Sequence, residues 1–106
     1  MKMITAIVNI KDSNSVCKSL TSAGFFFTKI STTGGFLTAG NTTLLIGTDD
    51  DKVHNVIEII KTHCSSRKEI LPSSNMHENQ IVSYPIEVSV GGAIVFVTNV
   101  EHFEKL

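Results

Sequence analysis

Short hydrophobic runs and helically spaced hydrophobic positions alternate along the first half of the chain. Residues 3–10 and 25–30 are mostly apolar at consecutive positions, which favours strands buried on both faces. Between them, apolar residues recur at spacings of one, three and three, which predicts a short amphipathic helix. Asp12 or Ser13 is expected to cap this helix at its start, and Gly24 to end it in a left-handed conformation. The apolar positions of this helix are Val16, Cys17, Leu20 and Ala23.

The second half of the chain repeats this order. Residues 42–47 are predicted to form a strand, and the acidic triplet at 49–51 has the charge that favours the positive end of a second helix. Residues 86–90 alternate between apolar and polar side chains, and the glycine pair at 91–92 marks a bulge or turn before a strand at 93–97. One stripe of the second helix carries Val53, Val56, Ile57, Ile60 and Cys64.

Three segments remain between and after these elements. Residues 31–40 are rich in threonine and glycine and are predicted to form a short loop. Residues 65–82 contain Pro72 and show no sustained period, which predicts a long loop of the kind that usually has a function. Residues 100–106 are expected to add a final helical turn. The chain is therefore predicted to be a single domain, residues 1–106, with two loops.

The order strand, helix, strand, strand, helix, strand predicts an α+β, ferredoxin-like split βαβ fold, with an antiparallel sheet and two helices on one face. The opposite face also needs burial, because residues 25–27 and 94–97 are apolar at consecutive positions. We therefore expect a homo-oligomer that packs sheet faces together. The alternative is that the long loop folds under the sheet and covers that face.

The net charge of the chain argues against nucleic acids as partners. The 106 residues carry nine Lys plus Arg and ten Asp plus Glu, a net charge of -1. Such a chain offers no broad cationic face to a phosphate backbone, so we expect neither DNA nor RNA as a partner. Its sequence has one arginine, Arg67, which excludes a site that clamps phosphate with several guanidinium groups. Backbone amides, hydroxyls or lysines must hold any anion instead.

Neither a membrane span nor a metal centre is predicted. No window approaches about 18 unbroken apolar residues, so we expect a cytoplasmic protein without membrane insertion. Cys17 and Cys64 are far apart in sequence and outside any Cys-x-x-Cys pair, and packing is their expected role. His54 and His63 lie about 180° apart around the second helix, so they cannot share a metal within one subunit.

The strongest local signal for a ligand lies between Thr28 and Gly47. Paired glycines at 34–35 allow successive backbone amides to point at one anion, and neighbouring threonines add hydroxyl donors. Phe36 offers a face for base stacking, and Asn41 carries the donor and the acceptor that suit an adenine edge. An ordinary glycine-rich hairpin loop would explain the same residues.

These residues belong to a longer pattern. Residues 32–37 (TTGGFL) and 40–43 (GNTT), together with 84–85 (YP) and 88–96 (VSVGGAIVF), closely resemble the PII-like receptors of cyclic di-AMP from Gram-positive bacteria. The resemblance implies a homotrimer of ferredoxin-like subunits that binds one cyclic dinucleotide in each cleft between neighbouring subunits. It also implies signal transduction without catalysis, and we expect no cofactor and no metal.

The resemblance also implies a role for individual residues. Backbone groups of residues 35–37 would contact the ligand, and Thr28 and Asn41 would form side-chain hydrogen bonds to it. Gly47 would let an adenine approach the strand, and Phe96 would pack on a base. The expected ligand-binding residues are thus Thr28, Gly35, Phe36, Leu37, Asn41, Gly47 and Phe96.

Three positions depart from the pattern of these receptors. Many of them have an arginine where this chain has Phe26, often an asparagine where it has Gly24, and Arg or Lys where it has Thr38. A lost guanidinium would cost about 1.5 to 3 kcal/mol if it contacted a phosphate. The corresponding loss of affinity is about tenfold to a hundredfold.

We interpret the chain as a nucleotide sensor that orders the 31–40 and 65–82 loops on binding cyclic di-AMP and signals to an unidentified downstream protein. An alternative is a PII-like module whose cleft binds another adenine nucleotide or a protein segment, which Phe26 and Thr38 favour. A third hypothesis is a small hydrolase of the acylphosphatase type. It would need an arginine early in the chain, whereas Arg67 lies beyond the second helix.

Overall fold

The computed structural model describes residues 1–31, 40–64, 67–71 and 86–106. Its strands are β1 (Lys2–Asn9), β2 (Phe27–Ser31), β3 (Asn41–Thr48), β4 (Arg67–Leu71), β5 (Ile86–Val90) and β6 (Ala93–Asn99). Its α-helices are α1 (Ile10–Ser22) and α2 (Val53–His63). The predicted α+β class is confirmed.

Four strands form an antiparallel sheet in the order β2-β3-β1-β6. The first and last of these are edge strands, and β1 and β3 are central. This arrangement, with two helices, is consistent with the PII-like, ferredoxin-like fold. Strands β4 and β5 pair with each other in a separate two-stranded antiparallel sheet.

Both helices pack on one face of the four-stranded sheet, as predicted. Ile4, Ala6 and Val8 of β1 and alternate residues of β3 point toward the helices and are buried, in keeping with the two-residue period of a strand. The core comprises Ile4, Ala6, Val8, Val16, Leu20, Leu44, Ile46, Val56, Ile60 and Cys64. Helices α1 and α2 are also joined by a 2.7 Å hydrogen bond between Ser19 Oγ and His63 Nε2.

Helix α1 begins earlier than the sequence predicts. Its cap is Asn9, whose side-chain oxygen accepts a 2.8 Å hydrogen bond from the Lys11 backbone N–H, so the prediction of Asp12 or Ser13 was wrong. The backbone of Asn9 is extended, because this residue also ends β1. Strand and helix are therefore joined without a linker, and Asp12 lies in the first helical turn, where its charge is favourable.

The backbone angles confirm the predicted roles of Gly24 at the end of α1 and of the glycine pair at 91–92 between two strands. Gly24 has a φ of 85° and follows α1, where its N–H donates to the Thr21 carbonyl at 3.0 Å. Gly91 and Gly92 have φ values of 85° and 79° and separate β5 from β6. The acidic triplet at 49–51 precedes and enters a 3-10 turn, Asp50–Lys52, and α2 starts after it.

Two predicted segments differ from the structure. Residues 67–71 of the predicted 65–82 loop form β4, because they pair with β5 in register from Arg67↔Val90 to Leu71↔Ile86. The predicted final helical turn at 100–106 was wrong, since these residues have no helical structure. A segment this short has too few hydrogen bonds to offset helix nucleation. Residues 32–39 of the short loop and 65–66 and 72–82 of the long loop lie outside the described residues.

The sheet face opposite the helices, which we call the open face, carries exposed apolar side chains. Phe26 is 88% exposed, whereas Phe25 and Phe27 on either side pack against the core. Ile94 and Phe96 are 57% and 55% exposed. The expectation of strands buried on both faces therefore fails within one copy of the chain. The open face includes Met3, Thr5, Ile7, Thr28, Ile30, Asn41, Thr43, Leu45, Gly47, Ile94, Phe96 and Thr98.

Candidate functional site

Thr28 and Phe96 lie in one row across the open face. In the sheet register, Thr28 pairs with Leu45, Leu45 with Thr5, and Thr5 with Phe96. Three strand spacings separate the ends of this row, which places the two residues about 14 Å apart at opposite edges of the sheet. A small ligand bound directly to one of them therefore cannot easily contact the other in the same copy of the chain.

Thr28 and Gly47 line a common cavity of about 420 Å³ on the open face. Met3 and Leu45 belong to the same lining. A Cβ atom added to Gly47 would meet nothing within 4 Å, so the strand surface is open at this position. Two of the predicted ligand-binding residues are thus brought together around a space that a planar group can enter.

Asn41 lies in a different place. It lines a cavity of about 240 Å³ with Asn9, Ile94 and the glycine pair at 91–92. Along β3, the six residue steps from Asn41 to Gly47 amount to about 20 Å. The sheet register places Asn41 and Phe96 on the same face as Thr28 and Gly47, but neither belongs to the described lining of the cavity that Thr28 and Gly47 share.

Gly35, Phe36 and Leu37 of the predicted site lie outside the described residues, as does Thr38. The structure adds Phe103, which lines the cavity of Thr28 and Gly47 although it stands in the tail after β6. Sequence reasoning missed it because an isolated aromatic residue in a segment without a period gives no signal. Asn41 and the glycine pair at 91–92 are far apart in the chain, so their neighbourhood was also missed.

A larger cavity of about 580 Å³ lies beside the first one and shares Phe26 and Gly47 with it. Its lining includes Asp49, Lys52 and Glu58. Its two carboxylates are balanced by two amines, those of Lys52 and of the Met1 N-terminus, so the lining offers no net positive charge to a phosphodiester. The smaller cavity is lined mostly by apolar side chains, and its one charged group among the described residues, the N-terminal ammonium of Met1, is paired with Asp50, which suits an uncharged ring.

The Cys17 thiol and the Lys29 amine lie outside the described linings of these cavities. Burial raises the pKa of the Cys17 thiol, and the positive charge of Lys29 lowers it in part. Lys29 pairs with Leu44, on the helix side of β3. Within the part of the chain that the structure describes, no three His, Cys, Asp or Glu residues form a group that could hold a metal ion.

The entire chain, residues 1–106, matches the family described as cyclic-di-AMP receptor. The chain belongs to the cyclic-di-AMP receptor family. The resemblance stated from the sequence motifs is thereby confirmed. Membership of this receptor family supports cyclic di-AMP as the ligand and favours binding over catalysis.

A solved structure supports the fold of this cyclic-di-AMP receptor family member. The crystal structure of a functionally unknown protein from Pediococcus pentosaceus ATCC 25745 has 41% sequence identity to the chain and a TM-score of 0.77. The similarity covers 99% of this chain and 96% of that one. Among the described residues, no helix is both long and apolar enough to span a membrane.

Proposed function

We propose that this chain is a non-catalytic signal-transduction protein that binds cyclic di-AMP in clefts between the subunits of a homotrimer. The match of the whole chain to the cyclic-di-AMP receptor family carries this proposal. Thr28, Gly35, Phe36, Leu37, Asn41, Gly47 and Phe96 form the ligand site. The location in the cytoplasm stays a prediction from the sequence.

The positions of Thr28 and Phe96 support a site between subunits. They occupy opposite edges of the sheet, so a ligand would have to span about 14 Å to touch both in one copy, whereas a cleft between copies can bring Thr28 of one beside Phe96 of another. The exposed apolar side chains of the open face supply the hydrophobic surface for such an association. A homotrimer closes this contact by cyclic symmetry and contains three equivalent clefts.

Phe26 favours a second candidate function. It stands exposed at the shared edge of two cavities, at the position where many of the receptors that the sequence resembles have an arginine. A cleft changed in this way could select another adenine nucleotide or a protein segment. The downstream protein that reads the bound state is unidentified.

Calorimetric titration separates these functions. We expect cyclic di-AMP to bind with a stoichiometry of one per chain, and ATP, ADP and cyclic di-GMP to bind more weakly by about tenfold or more, a difference of ~1.4 kcal/mol. Light scattering of the same sample should give three times the mass of the chain. A monomer, or a folded trimer that ignores all four nucleotides, would contradict the proposal, and tighter binding of ATP or ADP would favour the second candidate.

Loop ordering is the proposed signal and has its own test. Hydrogen exchange should slow when cyclic di-AMP is added in those amides of residues 31–40 and 65–82 that lie outside β2 and β4, because ligand contacts shift each segment toward its bound conformation. Amides of β1, which pairs on both sides, serve as the internal control and should not change. Equal exchange in both segments with and without bound nucleotide would exclude signalling by loop ordering.

A further inference from the structure

Two exposed aromatic residues from distant parts of the chain line the cavity that contains Thr28 and Gly47. Phe26 precedes β2 and is 88% exposed, and Phe103 follows β6 and is 62% exposed. Phenylalanine side chains that are mostly exposed gain little hydrophobic stabilisation from the fold, so packing of the free chain does not explain their positions. What Phe26 and Phe103 have in common is that both line this cavity.

The lining of this cavity indicates which part of a nucleotide it fits. Gly47 leaves open space above the strand, and Met3 and Leu45 add an apolar surface beside it. Thr28 supplies a hydroxyl, and the one charged group in the described lining, the N-terminal ammonium of Met1, is paired with Asp50 at 3.1 Å. A phosphodiester would lose its hydration here and meet only an ammonium that Asp50 already neutralises, but a flat heteroaromatic ring would bury its faces and keep one polar contact.

We propose that Phe26 and Phe103 stack against one adenine ring of the ligand, which lies over Gly47 and beside Thr28. This inference rests on the proposed function and names residues that determine specificity at that site. Stacking replaces the ionic contact that an arginine at position 26 would provide. Because stacking depends on ring faces and not on charge, the contribution of position 26 to affinity should be insensitive to salt.

Titration of Phe26→Leu and Phe103→Leu with cyclic di-AMP tests the inference. Leucine keeps an apolar side chain at each position but removes the aromatic face. We expect each variant to bind about 5- to 150-fold more weakly than the unaltered chain, the range measured for loss of one base-stacking contact. Phe26→Tyr retains the ring and should bind within about twofold, well below the effect of a lost stacking contact.

Matched controls separate stacking from assembly. Leu106→Ala removes an exposed apolar side chain from the same tail and should leave the affinity unchanged. Light scattering of each variant should still give the mass of the unaltered assembly. Weaker binding by Phe26→Leu that accompanies a fall in mass would assign Phe26 to subunit contact and overturn the inference.

The failure of the inference is distinguishable from that of the proposed function. If the unaltered chain binds cyclic di-AMP and both leucine variants bind equally well, the aromatic contacts are refuted while the receptor function stands. If the unaltered chain does not bind cyclic di-AMP at all, the proposed function is refuted, and the inference is refuted with it.

Discussion

Gly47→Val is expected to weaken cyclic di-AMP binding by about 100-fold, or ~2.7 kcal/mol, because the added side chain occupies the space meant for the ligand. Gly47 lies on the open face, and a Cβ built on it has no neighbour within 4 Å. The fold should therefore accept valine. Its strand backbone does not have the positive φ found at Gly24, Gly91 and Gly92, so no backbone strain is expected.

Although Gly47→Val should weaken ligand binding, it should not lower the free energy of unfolding. Glycine within a strand costs about 0.5 to 1 kcal/mol relative to alanine, so Gly47→Val should unfold at the same or a slightly higher denaturant concentration. Calorimetric titration gives the affinity and guanidinium unfolding gives the stability. Thr43→Val is the matched control, because it places the same side chain on the same strand and face outside the cavity of Thr28. Unchanged affinity in Gly47→Val would show that the ligand does not approach β3 there.

Leu20→Ala should lower the free energy of unfolding by about 2 to 5 kcal/mol. Leu20 is completely buried in α1 and packs in the core between the helices and the sheet. The neighbouring side chains cannot fully close the space that the substitution leaves, so the loss includes both transfer and cavity terms. For a domain whose total stability is about 5 to 15 kcal/mol, this is the largest expected effect of a single substitution on the fold.

Denaturant unfolding at one fixed protein concentration measures this loss, since subunit association would otherwise contribute to the apparent stability. Leu106→Ala is the matched control, because the same side chain is removed from a fully exposed position. Its effect should stay within about 0.5 kcal/mol. Equal stability of the two variants would contradict the assignment of Leu20 to the core.

Local patterns were sufficient to predict most of the regular elements. The apolar spacing of Val16 and Leu20 matched the buried side of α1, and that of Val56 and Ile60 matched the buried side of α2. Gly24 predicted the end of α1, because a left-handed residue there needs no information from the rest of the chain. The motifs at 32–37 and 88–96 led to the receptor family for the same reason, since each of them is a contiguous string of residues.

Elements that depend on distant partners could not be predicted in this way. The sequence of β4 shows no strand period, and its identity comes from pairing with β5, whose residues lie 15 to 23 positions further along. The start of α1 at Asn9 was also missed. Asn9, Asp12 and Ser13 are all good capping residues, and the end of β1 decides among them.

The same distinction between local and long-range information applies to the ligand site. Residue types that suit an adenine nucleotide, such as the glycines, threonines and aromatic residues between Thr28 and Gly47, are visible in the amino-acid order. Their arrangement depends on the tertiary structure. Pairing of β2 with β3 brings Thr28 beside the strand that carries Gly47, and the tail brings Phe103 to the same cavity. The order of strands in the sheet places Thr28 and Phe96 at opposite edges. The amino-acid sequence alone determines which side chains are available to a ligand. Which of them share a cavity, and which lie at opposite edges of the sheet, is decided only when segments far apart in the chain pack together.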